Sequence, residues 1–450
     1  MWTQKKRITL FALTWPIFIE ILLHMLMGNA DTLMLSQYSD RSVAAVGVAN
    51  QILSLIIVMF GFIATGTAIL VAQHLGAKEH AISGEIALVS LITNLAFGVL
   101  LSALLLLTGK GILDIMGLPR ELMDEASGYL RIVGGFIFIQ ALIMTAGAIL
   151  RSYGYTKDAM YITIGMNILN VAGNYLFIFG PFGLPVLGVE GVAISTIASR
   201  FIGLIVSIIV IMKRIPSALP LNRLRHIPVR HLKSLLKIGI PSAGEQLSYN
   251  GSQMVITYFI VSIGTYALTT KVYAQNLMMF IFLFSVAISQ GTQIMIGHMI
   301  GARQYEDAYA RCLKSLKIAI IISLCMAGIV SIAAEPLLGI FTSNEEIISS
   351  AKVLIYLTLL LEPGRSFNLV VINALRAAGD VKFPVYLGIA SMWGVGVPLS
   401  YLLGITLELG LVGVWISFIA DEWLRGLLML RRWRARTWIH KGFVRNEKAV

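Results

Sequence analysis

The sequence predicts an all-α integral membrane protein with twelve transmembrane helices, arranged as two six-helix bundles related by a pseudo-two-fold axis. Of its 450 residues, 57% are hydrophobic and 13% are charged, whereas ordinary soluble domains are about half apolar and about a quarter charged. The mean hydropathy is +0.82. A bilayer core about 30 Å thick needs about 20 mostly apolar residues per helix. Twelve such segments recur, at 7–36, 43–74, 83–108, 126–151, 158–180, 187–212, 234–263, 268–300, 315–334, 347–376, 381–405 and 409–430.

The charged residues of the loops predict the orientation of the chain. Basic residues concentrate in alternate loops and at the two ends, and the opposite loops are acidic, as at Glu121, Asp124 and Glu345. By the positive-inside rule, both termini are cytoplasmic. The net charge of +12 therefore indicates topology and not nucleic-acid binding, because the basic residues form no stacking platform with aromatic side chains. We expect a multi-pass monomer of the plasma membrane that contacts the lipid bilayer.

The two halves of the sequence match when it is shifted by 225 residues, half its length of 450. An even number of spans per half gives both copies the same orientation, with the repeat axis along the membrane normal. We expect an N-terminal bundle at 1–213, a cytoplasmic linker at 214–233 and a C-terminal bundle with a basic tail at 234–450, with a ligand site between the bundles. The matching residues include Pro16 with Pro241, Glu20 with Glu245, and Arg151 with Arg376.

Four side chains share one stripe of the first predicted helix. Glu20, His24, Met27 and Asp31 are spaced by 4, 3 and 4 residues, which places them on one face. Glu20 and Asp31 are about 16 Å apart along the helix axis, so they belong to two separate sites and do not form one catalytic dyad. A charge at bilayer depth costs about 2.5 kcal/mol or more and usually serves transport or proton chemistry. Polar contacts between helices are the structural alternative.

His24 is the member of this stripe with the most ordinary explanation. A lone histidine is more often a hydrogen-bonded interior residue than a ligand. Glu20 and His24, at positions i and i+4, have the spacing of metal ligands, but the sequence offers no third ligand. We therefore expect no metal site and no cofactor.

The fifth predicted span carries three asparagines, Asn167, Asn170 and Asn174, on one face. Amides on an apolar helix must find hydrogen-bond partners or line a wet cavity. The second half lacks this cluster, and Ile256 stands at the position equivalent to Asp31. The pattern predicts a cation-coupling site in the first bundle, with hydrogen bonding between helices as the alternative.

The second half has its own ionisable residues at bilayer depth. Glu362 and Arg365 lie one turn apart beside Pro363, which favours a structural ion pair at a kink. Glu245 has no obvious local partner. It is a candidate for a second contact with a cation or a drug.

Several runs of the sequence resemble a known family of exporters. In order along nearly the whole chain they are ADTLMLS with VAAVGVANQ, GTAILVAQHLGA, ILRSYG, NxxNxxxNYLFIFG, GVEGVAISTIASR and EPGRSFN with NALRAAGD. Together these runs are similar to those of bacterial multidrug and toxic compound extrusion (MATE) exporters. The resemblance implies a V-shaped pair of six-helix bundles, alternating access, and export of amphiphilic cationic drugs in exchange for H⁺ or Na⁺. It also implies that Asp31 is the coupling carboxylate, with Asn170 and Asn174 as its neighbours.

Two departures from the family pattern favour H⁺ over Na⁺. Some relatives carry an acidic residue where Asn174 stands, and the Na⁺-coupled branch has a carboxylate nearer to Asn250 than to Glu245. Amphiphilic cations of varied shape suit the adaptable sulfur of methionines and the faces of aromatic side chains. The expected substrate contacts are Asp31, Met27, Met34, Glu20, His24, Glu245 and Glu362.

Two other functions compete with drug export. A lipid-linked precursor flippase of the same superfamily would also need two bundles, but we would expect an arginine-rich cavity for its pyrophosphate. An intramembrane enzyme is the alternative from another class. It requires catalytic groups close together, and no GxSxG or HExxH run occurs, so we expect no enzymatic activity.

Overall fold

The computed structural model describes residues 9–183, 185–215, 219 and 229–444. Most of the predicted linker and the basic residues at the extreme ends lie outside these residues. The helices are α1 (Leu10–Ser36), α2 (Asp40–Gly76), α3 (His80–Ile115), α4 (Arg120–Tyr129), α5 (Phe138–Ser152), α6 (Thr156–Phe179), α7 (Gly188–Arg214), α8 (Val229–Ile263), α9 (Thr265–Gly301), α10 (Tyr305–Ile332), α11 (Ala334–Gly339), α12 (Glu345–Ala377), α13 (Lys382–Ser391), α14 (Val397–Tyr401) and α15 (Gly410–Arg434).

The predicted number of spans is confirmed. In the described part of the chain, nine helical segments are long and apolar enough to cross a membrane, with α13 and α14 counted as one, and the bent pair α4–α5 makes a tenth. The other two are α8 and α15, with 35 and 25 residues. Both have spanning length, but polar residues in α8 and charged residues in α15 lower their hydropathy. The fold is all-α and has twelve membrane-crossing helices.

The fourth predicted span is broken and not straight. The chain bends by 44° where a π-helical turn, Leu130–Gly134, ends. A Cβ on Gly134 would lie 2.9 Å from the side chain of Leu105, and one on Gly135 would lie 3.1 Å from Leu106. Glycine pairs and π-helical turns are common causes of kinks. The glycines thus allow close packing against α3, which apolar composition alone does not reveal.

Equivalent positions of the two repeats adopt the same unusual backbone conformation. Lys78 and Arg303 have φ of 63° and 59°, and Gly154 and Gly379 have φ of 85° and 92°. Positive φ is uncommon for residues with a Cβ. Each pair is separated by the 225 residues of the sequence repeat, so the duplication predicted from the sequence is present in the fold.

The chain divides into two compact units. The first unit is Ile19–Gly239, and the second unit consists of Met1–Phe18 with Ile240–Val450. The borders fall inside α1 and α8, close to Pro16 and Pro241. The opening turns of each of these helices therefore belong to a different unit from the remainder of the helix.

Buried apolar clusters fix the helix neighbours within each unit. In the first unit, Phe60, Leu113 and Val192 belong to one cluster that joins α2, α3 and α7, and α6 packs along α7. In the second unit, Leu354 and Trp415 belong to a cluster that joins α12 and α15. These neighbours bring the polar residues of α1, α6 and α7 together, and likewise those of α12 and α15.

Candidate functional site

A buried carboxyl group lies on α1 in the first unit. Asp31 is 8% exposed, and its Oδ1 accepts a hydrogen bond from Asn174 Nδ2 at 2.5 Å. Asn174 and its neighbour Asn170, one turn earlier on α6, are fully buried. The structure thus brings together two residues 143 positions apart that the sequence patterns of α1 and α6 singled out separately.

Asn170 connects this carboxyl site to α7. Its Nδ2 donates to Thr196 Oγ1 at 3.2 Å, and its backbone carbonyl accepts from Ser195 Oγ at 2.8 Å. Within the described residues, the side-chain oxygens of Asn170 and Asn174 are buried without a hydrogen-bond partner. Unpaired buried oxygens favour a polar ligand or an ordered water, so the site has spare capacity to accept hydrogen bonds.

Three other residues of the predicted site, Asn167, Met27 and Met34, make different contacts. Asn167 Nδ2 donates to the carbonyl of Thr163 at 2.8 Å within α6, because a local backbone acceptor lies within reach. Met27 is buried, with 7% of its surface exposed. Met34 packs against the apolar core of the first unit. Of these three, Met27 remains closest to the expected role of a drug contact.

The N-terminal part of the α1 stripe is held by an ion pair. Arg151 Nη1, from α5, lies 2.5 Å from Glu20 Oε1. His24, one turn further along α1, lies within electrostatic range of Glu20, Arg151 and Arg200, and no described residue forms a hydrogen bond with it. The interpretation of His24 as a hydrogen-bonded interior residue stays a prediction. The carboxylate of Glu20 is therefore paired with an arginine.

The second unit contains the repeat-related ion pair. Arg376 Nη2, from α12, contacts Glu245 Oε2 on α8, and both ion pairs join residues 131 positions apart. Glu245 was expected to have no local partner, and its ion-pair partner indeed comes from a different helix. A signal was present in the sequence, since both the glutamate and the arginine recur at the 225-residue shift.

Five ionisable residues on α12 and α15, four of them buried and Arg365 partly buried, form what we name the charge cluster: Glu362, Arg365, Asp421, Glu422 and Arg425. Arg365 Nη1 lies 2.7 Å from Glu362 Oε1, the ion pair that their spacing predicts. Arg425 Nη2 lies 2.7 Å from Asp421 Oδ2 and 3.1 Å from Glu422 Oε1. The sequence analysis missed the α15 members, although their spacing of one turn within the last span was a usable signal.

A small polar cavity adjoins the charge cluster. Its volume is about 30 Å³, which is room for one or two water molecules. Arg425, which lines the cavity, has a buried Nε without a hydrogen-bond partner in the described part of the chain, and a water molecule is a suitable partner for it. The cavity is also lined by Tyr249, Gln253 and Gln275.

The MatE family model matches residues 16–176 and 241–402, once in each half of the chain. The chain belongs to this family of multidrug and toxic compound extrusion transporters. The uncharacterized transporter YisQ of Bacillus subtilis is 59% identical to this MatE protein over 97% of the chain and 96% of its own length. The probable multidrug resistance protein NorM of Thermotoga maritima is 27% identical over 98% of the chain and 94% of its own length.

Solved structures of MATE transporters have the same fold as this MatE protein. The crystal structure of MATE in the bent conformation superposes with a TM-score of 0.87 at 23% identity, covering 95% of this chain and 94% of that one. A MOP superfamily transporter from Pyrococcus furiosus superposes with a TM-score of 0.84 at 23% identity, covering 95% of both chains. The chain is thus a multi-pass membrane transporter of two repeats.

The two repeats of this MatE protein carry different polar sites on equivalent positions. Asp31 corresponds to Ile256, and Glu362 corresponds to Ile137; both isoleucines are buried. Within the described residues, the paired glutamate and arginine recur in both units, whereas neither Asp31 nor Glu362 has an acidic counterpart at the repeat-related position. The shared ion pairs therefore suit a structural role, and the unshared groups are the candidates for specialised chemistry.

Proposed function

We propose that this protein is an efflux antiporter that exports amphiphilic, mostly cationic compounds in exchange for H⁺ by alternating access. The observation that carries the proposal is Asp31, a buried carboxyl group whose hydrogen-bond donor is the neutral amide of Asn174. A buried carboxylate without a close positive partner is costly. A proton and a cationic compound each relieve that cost, so one carboxyl group can serve both ligands.

The surroundings of Asp31 support H⁺ over Na⁺. Hard metal cations take several oxygen ligands, whereas a proton needs only one carboxylate oxygen. The Asp31 carboxylate accepts a hydrogen bond from the N–H of Asn174, and the guanidinium of Arg200 lies within electrostatic range. No group of three or more His, Cys, Asp or Glu side chains that could hold a metal ion occurs among the described residues, so the proposal of H⁺ rests on this single carboxyl group.

The exported compounds are proposed from chemistry and from relatives. Met27 lies buried about one turn from Asp31, and methionine adapts to apolar surfaces of varied shape. The Thermotoga maritima relative is named a probable multidrug resistance protein. A flippase for lipid pyrophosphates has less support, because Arg365 and Arg425 of the charge cluster each contact a carboxylate, whereas a polyanion needs several unpaired arginines.

Exchange follows from competition at the carboxyl group. A cationic compound favours the ionised form of Asp31, and protonation removes that attraction. Each ligand then lowers the affinity for the other, and linkage makes the effect reciprocal. Net export also requires the two ligands to differ in affinity between the inward-facing and outward-facing states.

Transport in proteoliposomes tests this proposal. We expect a fluorescent cationic dye to accumulate under an imposed pH gradient and to ignore an imposed Na⁺ gradient. Asp31→Asn should abolish the pH-driven movement, and Asp124→Asn, at an exposed position of α4, should retain it. Full transport by a well-folded Asp31→Asn protein, or a strict need for Na⁺, would contradict the proposal. So would a dye affinity that stays flat from about pH 5 to 8, the range of raised carboxyl pKa values.

A further inference from the structure

An apolar groove runs between α6 and α7 of the first unit. Its volume is about 260 Å³, and its lining includes Tyr161, Leu169 and Ile202. All three of these side chains are exposed, so the groove opens at the surface of the protein. Lipid acyl chains are as apolar as leucine side chains. The surface of the groove therefore suits an acyl chain.

A glycine creates the space in the middle of this groove. Gly165 of α6 is part of the lining, and a Cβ at this position would meet no neighbouring atom within 4 Å among the described residues. Across the groove, Gly203 of α7 packs so closely on Met166 that a Cβ there would clash with it. The open space thus belongs to position 165, and a larger side chain at that position would project into the groove.

The groove has about the depth of one bilayer leaflet. Along α6, its lining extends from Asp158 to Leu169, a distance of about 16 Å at about 1.5 Å per residue. The hydrocarbon core of a bilayer is about 30 Å thick, so one leaflet contributes about half of that. A lipid whose head group lies at the Asp158 end would therefore place its acyl chain along the groove.

Positive charge is concentrated at the Asp158 end of the groove. Arg214 Nη2, at the end of α7, lies 3.5 Å from Asp158 Oδ1, and its guanidinium lies 5.7 Å from the ring centre of Tyr155. Lys157 and Lys213 are the sequence neighbours of this pair, and both have exposed side chains. Three positive groups thus accompany one carboxylate, which leaves this end of the groove with a net positive charge.

We infer that the groove between α6 and α7 is a binding site for an anionic phospholipid. One acyl chain lies along Gly165, and the phosphate is bound by Lys157, Lys213 and Arg214. Basic residues beside a membrane span attract anionic head groups, and the positive-inside rule predicts that this leaflet is the cytoplasmic one. The inference does not depend on the proposed export function, because it involves neither Asp31 nor an exported compound.

Lipid-dependent stability tests the site. The thermal midpoint of unfolding is measured in detergent against the concentration of phosphatidylglycerol, which is anionic, of phosphatidylcholine, which is zwitterionic, and of inorganic phosphate. Native mass spectrometry of the same samples counts the lipids that stay bound. Gly165→Leu fills the groove. Gly111→Leu is the matched control, because the space around a Cβ at Gly111 is also open.

The charge of the site is tested separately. Lys157→Gln and Lys213→Gln each remove one positive group from the end of the groove. Lys110→Gln is their control, because Lys110 is an exposed lysine on α3 of the same unit. Each lysine of the site should contribute about fivefold to the apparent affinity for phosphatidylglycerol, the equivalent of about 1 kcal/mol per basic residue.

The expected result distinguishes the lipids and the variants. Phosphatidylglycerol should raise the thermal midpoint of the native protein more than phosphatidylcholine does, and inorganic phosphate should leave it unchanged, because it has no acyl chain. Gly165→Leu should lose the difference between the two lipids and one bound phosphatidylglycerol, whereas Gly111→Leu should keep both. Gly165→Ala adds a single methyl group to open space, so it should fold and lose part of the difference.

Three results would overturn the site. The first is an equal effect of both lipids on the native protein. The second is an undiminished preference for phosphatidylglycerol in a folded Gly165→Leu protein. The third is an equal loss of affinity in Lys110→Gln and in the two lysine variants of the site, which indicates attraction to the overall basic charge and not to this groove.

Discussion

Replacing Arg151 with glutamine should destabilise the protein through its ion pair with Glu20. The two side chains are 18% and 11% exposed, so the pair is largely withdrawn from water. Loss of one partner of a buried ion pair costs about 3–5 kcal/mol, because the other charge is left uncompensated. Since both side chains keep some exposure, we expect the free energy of unfolding to fall by about 3 kcal/mol, the lower end of that range.

The second repeat provides an internal replicate of this experiment. Arg376 and Glu245 are 17% and 11% exposed, so Arg376→Gln should cost about the same. The exposed pair of Arg41 and Glu121, with 64% and 77% exposure, provides the matched control. Arg41→Gln should cost less than about 1 kcal/mol, as exposed ion pairs do.

A double-mutant cycle isolates the ion pair from other effects of the substitutions. Unfolding of the native protein, Arg151→Gln, Glu20→Gln and the double variant is measured by denaturant titration in mixed micelles. The double variant should lose less stability than the sum of the single variants, with a coupling energy of about 0.5–3 kcal/mol. Strictly additive losses, or equal losses for Arg151→Gln and Arg41→Gln, would refute the reasoning.

Three further predictions concern the charge cluster, helix packing and the drug contact. Arg425→Leu should lower the thermal midpoint of unfolding in detergent, because it removes the partner of two buried carboxylates. A decrease in the free energy of unfolding of less than about 1 kcal/mol, as for an exposed pair, would contradict this. Gly98→Ala should lower the free energy of unfolding by about 1–3 kcal/mol, because a Cβ there would lie 2.8 Å from the backbone of α5. Gly28→Ala is the control and should gain stability, because the space around its Cβ is open. Met27→Ala should weaken dye binding several-fold while leaving its pH dependence intact, and unchanged dissociation constants would exclude Met27 as a contact.

The membrane class, the spans and the repeat were accessible from the sequence because they depend on local or periodic properties. Apolar segments about 20 residues long predict spans whatever they pack against. Helical periodicity likewise placed Asp31 on a polar face of α1, and Asn170 and Asn174 on a polar face of α6. The contact between these faces was expected from the family resemblance, and the structure contains it in the hydrogen bond from Asn174 to Asp31.

The fourth span shows where local composition fails. Its residues are as apolar as those of a straight helix, yet the chain bends by 44° beside Gly134 and Gly135. The bend depends on how closely α3 approaches, as the contacts of Leu105 and Leu106 indicate. Interhelical distance is a property of the packed fold, and no single segment encodes it.

Partner choice between distant helices was decided only by the tertiary structure. The α1 pattern marked Glu20 as a buried charge, but its neutralisation by Arg151, 131 residues away, depends on α5 packing beside α1. Asp421 and Arg425 joined Glu362 in one cluster only because α15 packs along α12. Periodicity determines which side chains share a face of one helix, whereas the free energy of burying a charge depends on the opposite charge that a neighbouring helix supplies.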